Sequence, residues 1–175
     1  VKAGAPIVTL DIRTPAEIAA AALSLLATAG APWAYDEGLA ESYAKLFEPV
    51  AGMKAGKALH LMKTEVFVNK VKAGAPIVTL DIRTPAEMSV FGSALPGALT
   101  IPINELFTPE KLAQIPTDKD VVVLCASCTR AMAAGTALRH VGFENVFILK
   151  GGLKALSAYL NAKTANTPLK TGQPK

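Results

Sequence analysis

The chain has 175 residues, of which 51% are hydrophobic and 18% charged, with a formal net charge of +4; this is the balance of one soluble globular domain. Lysines 54, 57, 63, 70 and 72 are separated by apolar residues and form no basic stripe interleaved with aromatics, which argues against nucleic acid as a partner. The two cysteines lie three positions apart, which is no framework for a disulfide-stapled fold, so they are read as parts of a site.

Residues 1–17 reappear letter for letter as residues 71–87. Structural repeats diverge and recur at a fixed period, whereas nothing beyond this segment is copied. The first copy is therefore read as an artefact, with a genuine duplication as the alternative; the second copy has the context to fold. Residues 18–34 open with an apolar run of small residues, Ile18 to Ala29, that ends in Ala27-Thr28-Ala29. Such a run is too short for a bilayer, which needs about 20 residues, but it suits the core of a secretory signal peptide cleaved after Ala29. The expectation is a chain exported to the periplasm, with no membrane span in its mature part; an Ala-rich helix is the alternative.

Residues 35–56 read as a helical extension. Tyr35 to Phe47 places Leu39, Tyr43, Leu46 and Phe47 on one helical face, and Pro49 and Gly52 end the pattern. Residues 57–162 read as the main domain. Ala58 to Met62 is a predicted strand, and Thr64 a predicted cap for a helix carrying Val66, Phe67 and Val71 and closed by Gly74. Ile77 to Leu80 is a buried strand that delivers Asp81 and Arg83 at its C-terminal end, and Pro85 starts a turn of helix. Leu95-Pro96-Gly97-Ala98 turns into the strand Leu99 to Ile101, and short helices are expected over 104–107 and 109–114. Val121 to Leu124 is the central strand, Arg130 to Val141 a helix stopped by Gly142, Val146 to Leu149 another strand, and Leu153 to Leu160 the last helix. Residues 163–175 read as a flexible tail. Alternating strands and helices predict an α/β fold, with a parallel sheet covered on both faces and a ligand site at the C-terminal ends of the strands.

The segment Cys125-Ala126-Ser127-Cys128-Thr129-Arg130 sits where the buried strand hands over to a helix N-terminus. The first amides of a helix lack internal partners and carry partial positive charge, so they stabilise a thiolate and an anion beside it. Backbone N–H groups from Ala126 to Ala131 are the predicted cradle, and the Arg130 guanidinium adds a permanent charge. Ser127 and Thr129 are either hydroxyl donors to an anion or simply small loop residues. Asp81 and Arg83 either shape the floor of the site or, the favoured reading, form a structural ion pair. His140 reads as a dipole partner at a helix end, and His60 has no neighbouring ligand. No metal or cofactor is expected, and Gly151-Gly152 is assigned to backbone geometry.

Four segments in order carry a family resemblance: Asp81-Ile82-Arg83-Thr84-Pro85-Ala86-Glu87; Leu95-Pro96-Gly97-Ala98 with Ile101-Pro102; Cys125 to Arg130; and Leu149-Lys150-Gly151-Gly152. Together they make residues 57–162 resemble a single-domain rhodanese. The resemblance implies a rhodanese-like fold and sulfur transfer by ping-pong chemistry. Cys125 would be the nucleophile and Ala126, Ser127, Cys128, Thr129, Arg130 and Ala131 the binding loop. The donor would be thiosulfate or a related small anion, and the acceptor a thiol, a protein thiol included, or a cyanide-like nucleophile. Four residues separate Cys125 from Arg130, the spacing of the family's sulfurtransferases, whereas related phosphatases have five and a wider ring. Two positions depart from the family pattern: Ala94, where histidine is frequent, and Cys128, where glycine is frequent. Cys128 creates a Cys-x-x-Cys pair, either a thiol that attacks a Cys125 persulfide and expels sulfide, or an inert packing residue. A dithiol–disulfide oxidoreductase and a non-catalytic sulfur carrier are the alternative functions.

Overall fold

The computed structural model describes residues 35–92, 95 and 97–168; the copied segment, the signal-like stretch, Ala94 and most of the predicted tail lie outside these residues. Contacts divide the chain into two units, 1–41 and 42–175. Of the first, Tyr35 to Glu41 are described, exposed residues that open helix α1 (Glu37–Phe47), where the Asp36 carboxylate accepts the Leu39 amide at 2.8 Å.

The second unit contains five strands: β1 (Leu61–Met62), β2 (Ile77–Asp81), β3 (Leu99–Thr100), β4 (Asp120–Leu124) and β5 (Val146–Leu149). They form one parallel sheet in the order β1-β5-β4-β2-β3. The central strands are runs of apolar residues because both faces of the sheet are covered. Alternation along β4 divides the core in two. Val121 and Val123 pack with Leu80, Ile148 and the Ala131, Ala134 and Leu138 side chains of α6 (Thr129–His140). Val122 and Leu124 face the other way, against Phe67 of α3 (Thr64–Lys72) and Leu156 of α7 (Gly152–Tyr159). The edge strands are two residues each, too short to invite pairing with another chain.

Several elements differ from the sequence-based expectations. Ala58 belongs to a short helix, α2 (Ala55–Ala58), and the strand begins only at Leu61. His60 lies between them in a turn at φ 55, its ring stacked on Phe147 and its Nδ1 2.9 Å from the Val146 carbonyl. Thr64 is the first residue of α3 and no cap; Lys63 holds that position, and the Thr64 hydroxyl donates to the Lys150 carbonyl at 3.4 Å. Val66 points to solvent, and Val68 takes the buried place beside Phe67. Residues 103–107 are turns, and the next helix, α5, spans only Pro109–Leu112. The predicted tail is helical at its start: Asn161 caps α8 (Ala162–Asn166) through a reciprocal bond pair with Thr164. His140 ends α6 as expected, and its ring also stacks on Tyr43 at 4.0 Å with Nε2 2.9 Å from the Ser42 hydroxyl.

This topology places the site. From β2 the chain moves outward to β3, whereas from β4 it moves to β5 on the opposite side. The connections therefore diverge at the β2–β4 seam, and a crevice opens beyond the C-terminal ends of those two strands. Asp81 ends β2 and Cys125 follows β4.

Candidate active site

Cys125 is the first residue after β4 and is 1% exposed. The chain then turns through Ala126, Ser127 and Cys128 before α6 begins at Thr129. The Cys128 amide donates to Cys125 Sγ at 3.2 Å, so one backbone dipole of the predicted cradle is aimed at the sulfur. Cys128 achieves this in a left-handed conformation, φ 87 and ψ −23, which costs a non-glycine residue about 1–2 kcal/mol. Ala126 is half-buried, Ser127 and Thr129 are exposed, and the Ala131 methyl is in the core.

The loop is clamped from two sides. On one side the N-terminus of α7 donates to it: the Leu153 amide to the Cys125 carbonyl at 2.8 Å and the Lys154 amide to the Ala126 carbonyl at 3.0 Å. Gly152 makes this approach possible. A Cβ there would stand 2.4 Å from the Cys125 carbonyl oxygen and 2.8 Å from the Cys128 nitrogen, and its φ of 59 is itself left-handed. The glycine pair thus has a definite duty: it lets α7 press its free amides against the loop.

On the other side Arg130, in the first turn of α6, forms a two-pronged pair with Glu87 of α4 (Pro85–Val90), at 2.7 Å from Nη1 to Oε2 and 2.6 Å from Nη2 to Oε1. Glu87 is held in turn by a capping box: its amide donates to the Thr84 hydroxyl at 3.2 Å, and its carboxylate accepts the Thr84 amide at 3.0 Å. The Arg130 hydrogen bond, and after it the Thr84 amide, lower the Glu87 pKa from 4.5 to about 2. Arg130 is raised above its ordinary value chiefly by Glu87, opposed by partial burial, with a smaller contribution from the neighbouring Cys125 sulfur. The guanidinium thus ties the loop to α4 while remaining near the Cys125 sulfur. Glu87 is the residue that sequence reasoning left out of the site, although Thr84-Pro85-Ala86-Glu87 is a capping-box pattern on its face.

Asp81 and Arg83 form a buried ion pair, and Arg83 also lines the groove beside the loop. The Arg83 Nε lies 3.0 Å from both Asp81 oxygens and Nη2 lies 2.7 Å from Oδ2, with both side chains buried. The Arg83 amide also donates to Asp81 at 3.1 Å, which fixes the turn leaving β2. Beside the loop lies an open groove of about 690 Å³, lined by Ala86, Val90 and Phe91 from the α4 side, Ala126 from the loop, and Leu153 and Lys154 from α7. Val90 and Phe91 are exposed there. Among the described residues no cluster of three metal-ligating side chains occurs, and no helix is long and apolar enough to cross a membrane.

Comparison with known proteins agrees with this arrangement. Residues 64–159, more than half of the chain, match the model of the rhodanese-like domain. A sulfurtransferase of Allochromatium vinosum is 37% identical over 79 residues, which is 45% of this chain and 70% of that protein. The mitochondrial thiosulfate sulfurtransferase RDL2 of Saccharomyces cerevisiae is 33% identical over 73 residues, 42% of this chain and 49% of its own length. The chain thus spans about half of the yeast relative. Among solved structures, a protein of unknown function and possible tyrosine phosphatase from Rhodopseudomonas palustris superposes with a TM-score of 0.52 at 24% identity, covering 74% of this chain and 96% of the other; that likeness concerns the fold. With its five-stranded parallel sheet, its cysteine at the β4–α6 junction and the match over residues 64–159, the chain belongs to the rhodanese-like domain family.

Proposed function

We propose that the protein is a sulfurtransferase in which the Cys125 thiolate attacks the outer sulfur of thiosulfate or a related donor. The donor's S–S bond breaks, sulfite leaves, and Cys125 becomes a persulfide. A thiol or cyanide-like acceptor then attacks the terminal sulfur and returns the thiolate. The observation that carries this reading is the Cys128 amide 3.2 Å from Cys125 Sγ, in a loop whose far end is pinned by Arg130 and Glu87. A fixed dipole facing the sulfur stabilises negative charge there without reorganisation, both on the thiolate and on the persulfide. The sulfurtransferase names of the bacterial and yeast relatives point the same way. The four-residue spacing between Cys125 and Arg130 makes a tighter ring than a phosphoryl group needs, which favours sulfur over phosphate.

The test is thiocyanate formation from thiosulfate and cyanide. Turnover by the wild type and background rates for Cys125→Ser are expected; equal rates for both proteins would overturn the assignment. Export to the periplasm belongs to the same proposal and rests on the apolar run from Ile18 to Ala29. Its check is cell fractionation, and recovery of the unprocessed chain in the cytosol would refute it.

A further inference from the structure

We infer that Cys128 is a resolving thiol that discharges sulfur from Cys125 as sulfide, a second activity of the same loop that rests on Cys125 carrying sulfur. The Cys128 nitrogen is 3.2 Å from Cys125 Sγ. Because an N–Cα bond is about 1.5 Å long, the Cys128 Cα lies within about 4.7 Å of that sulfur. The backbone of Cys128 thus stands in direct reach of the sulfur that its thiol would attack.

Three further observations separate Cys128 from an ordinary loop residue. Its side chain is half-buried and packs beside the same core cluster that contains Cys125, whereas its neighbours Ser127 and Thr129 are exposed. Cys128 stands at the N-cap position of α6, but its thiol makes no capping hydrogen bond there. Its backbone adopts a conformation in which glycine is unstrained and other residues are not, at φ 87. A thiol is therefore present where backbone geometry favours having no side chain, next to the nucleophile, with both cysteines free.

In the proposed step the Cys128 sulfur loses its proton and attacks Cys125 Sγ, the inner sulfur of the persulfide. The bond from Cys125 Sγ to the terminal sulfur breaks, and the Cys125–Cys128 disulfide forms. The terminal sulfur leaves with the bonding electron pair, takes up the proton and departs as hydrosulfide, HS−. The two electrons that reduce the sulfane sulfur come from the two cysteines, so no outside oxidant is needed. A thiol or dithiol reductant then reopens the disulfide. Transfer to an external acceptor and internal discharge are competing fates of one persulfide.

The experiment is a single turnover of the full chain. Reduced protein is loaded with thiosulfate, freed of small molecules and left without acceptor, while intact mass and released sulfide are recorded. Wild type is expected to gain about 32 Da, then to lose that sulfur and settle about 2 Da below the reduced chain, with about one sulfide released per protein. Cys128→Ser is expected to keep the added sulfur and to release sulfide at least about tenfold more slowly. Cys128→Gly, which suits the left-handed backbone, serves as the second variant and is expected to behave alike. Stable retention of the added sulfur by wild type, or equal sulfide release from wild type and both variants, would overturn the role of Cys128 alone. Failure of all three proteins to gain sulfur would overturn the sulfurtransferase reading and this inference with it.

Discussion

Glu87 shows how one side chain couples the site to stability. Its pKa is lowered to about 2 in the folded chain from 4.5, so the native state prefers the ionised form. The stabilisation is complete above pH 4.5 and is lost as the pH falls through about 2. Urea midpoints measured across that window are expected to decline for the wild type and to decline less for Glu87→Gln. The same variant frees Arg130 from its anchor, and a displaced loop is expected to lower sulfur transfer by about 10- to 100-fold at neutral pH. Gly152 is equally constrained. In Gly152→Ala the new methyl would meet the Cys125 carbonyl at 2.4 Å, a backbone atom that cannot swing aside. A loss of about 1–3 kcal/mol in a denaturant titration is expected, with a loss of activity larger than at other glycine sites. The place of Cys125 at the junction of β4 and α6 was legible because the handover from strand to helix is written in adjacent residues. Glu87 and Arg130 are 43 positions apart, and no local pattern announces that they meet.

At the scale of elements, the ends of β2 and β4 set the site, and the Asp81–Arg83 pair holds the first of them. Removing one partner of a buried ion pair strands the other charge away from water. Asp81→Asn is accordingly expected to cost about 3–5 kcal/mol in chemical denaturation, and Asp81→Leu with Arg83→Met to recover much of that loss. Should Asp81→Asn prove neutral, the pair does not anchor the turn. The central strands were readable because β2, β4 and β5 are apolar runs bounded by turn residues. The edges were not. Residues 58–60 fold as helix and turn, and β1 pairs with only the last two of the four residues of β5, because the chain at His60 takes a left-handed conformation, φ 55, that interrupts the extended run. Residues 104–107 have helical composition, but the segment is too short to nucleate a helix and settles into turns.

At the scale of the whole chain, the match to the family covers residues 64–159, and the sheet, both core clusters and the loop clamps lie between Leu61 and Tyr159. Deleting residues 1–34 is therefore expected to leave thiocyanate formation within about twofold of the intact chain; a collapsed circular dichroism spectrum would show instead that the copied segment is part of the fold. If the copied segment is truly present, Ile7-Val8-Thr9-Leu10, which repeats the residues of β2 in sequence, is expected to compete for the place of Ile77 to Leu80 and to promote strand exchange or dimers. Less oligomer in light scattering after the deletion is the expected result. By itself the sequence determined the α/β class, the central strands and the cysteine loop, since periodicity, turn residues and the strand-to-helix junction are local properties. The tertiary structure decided what restrains that loop: Glu87 on Arg130, the α7 amides on the Cys125 and Ala126 carbonyls, and Gly152 against the backbone. These contacts join segments distant in the chain, and packing around the sheet alone brings them within hydrogen-bond reach.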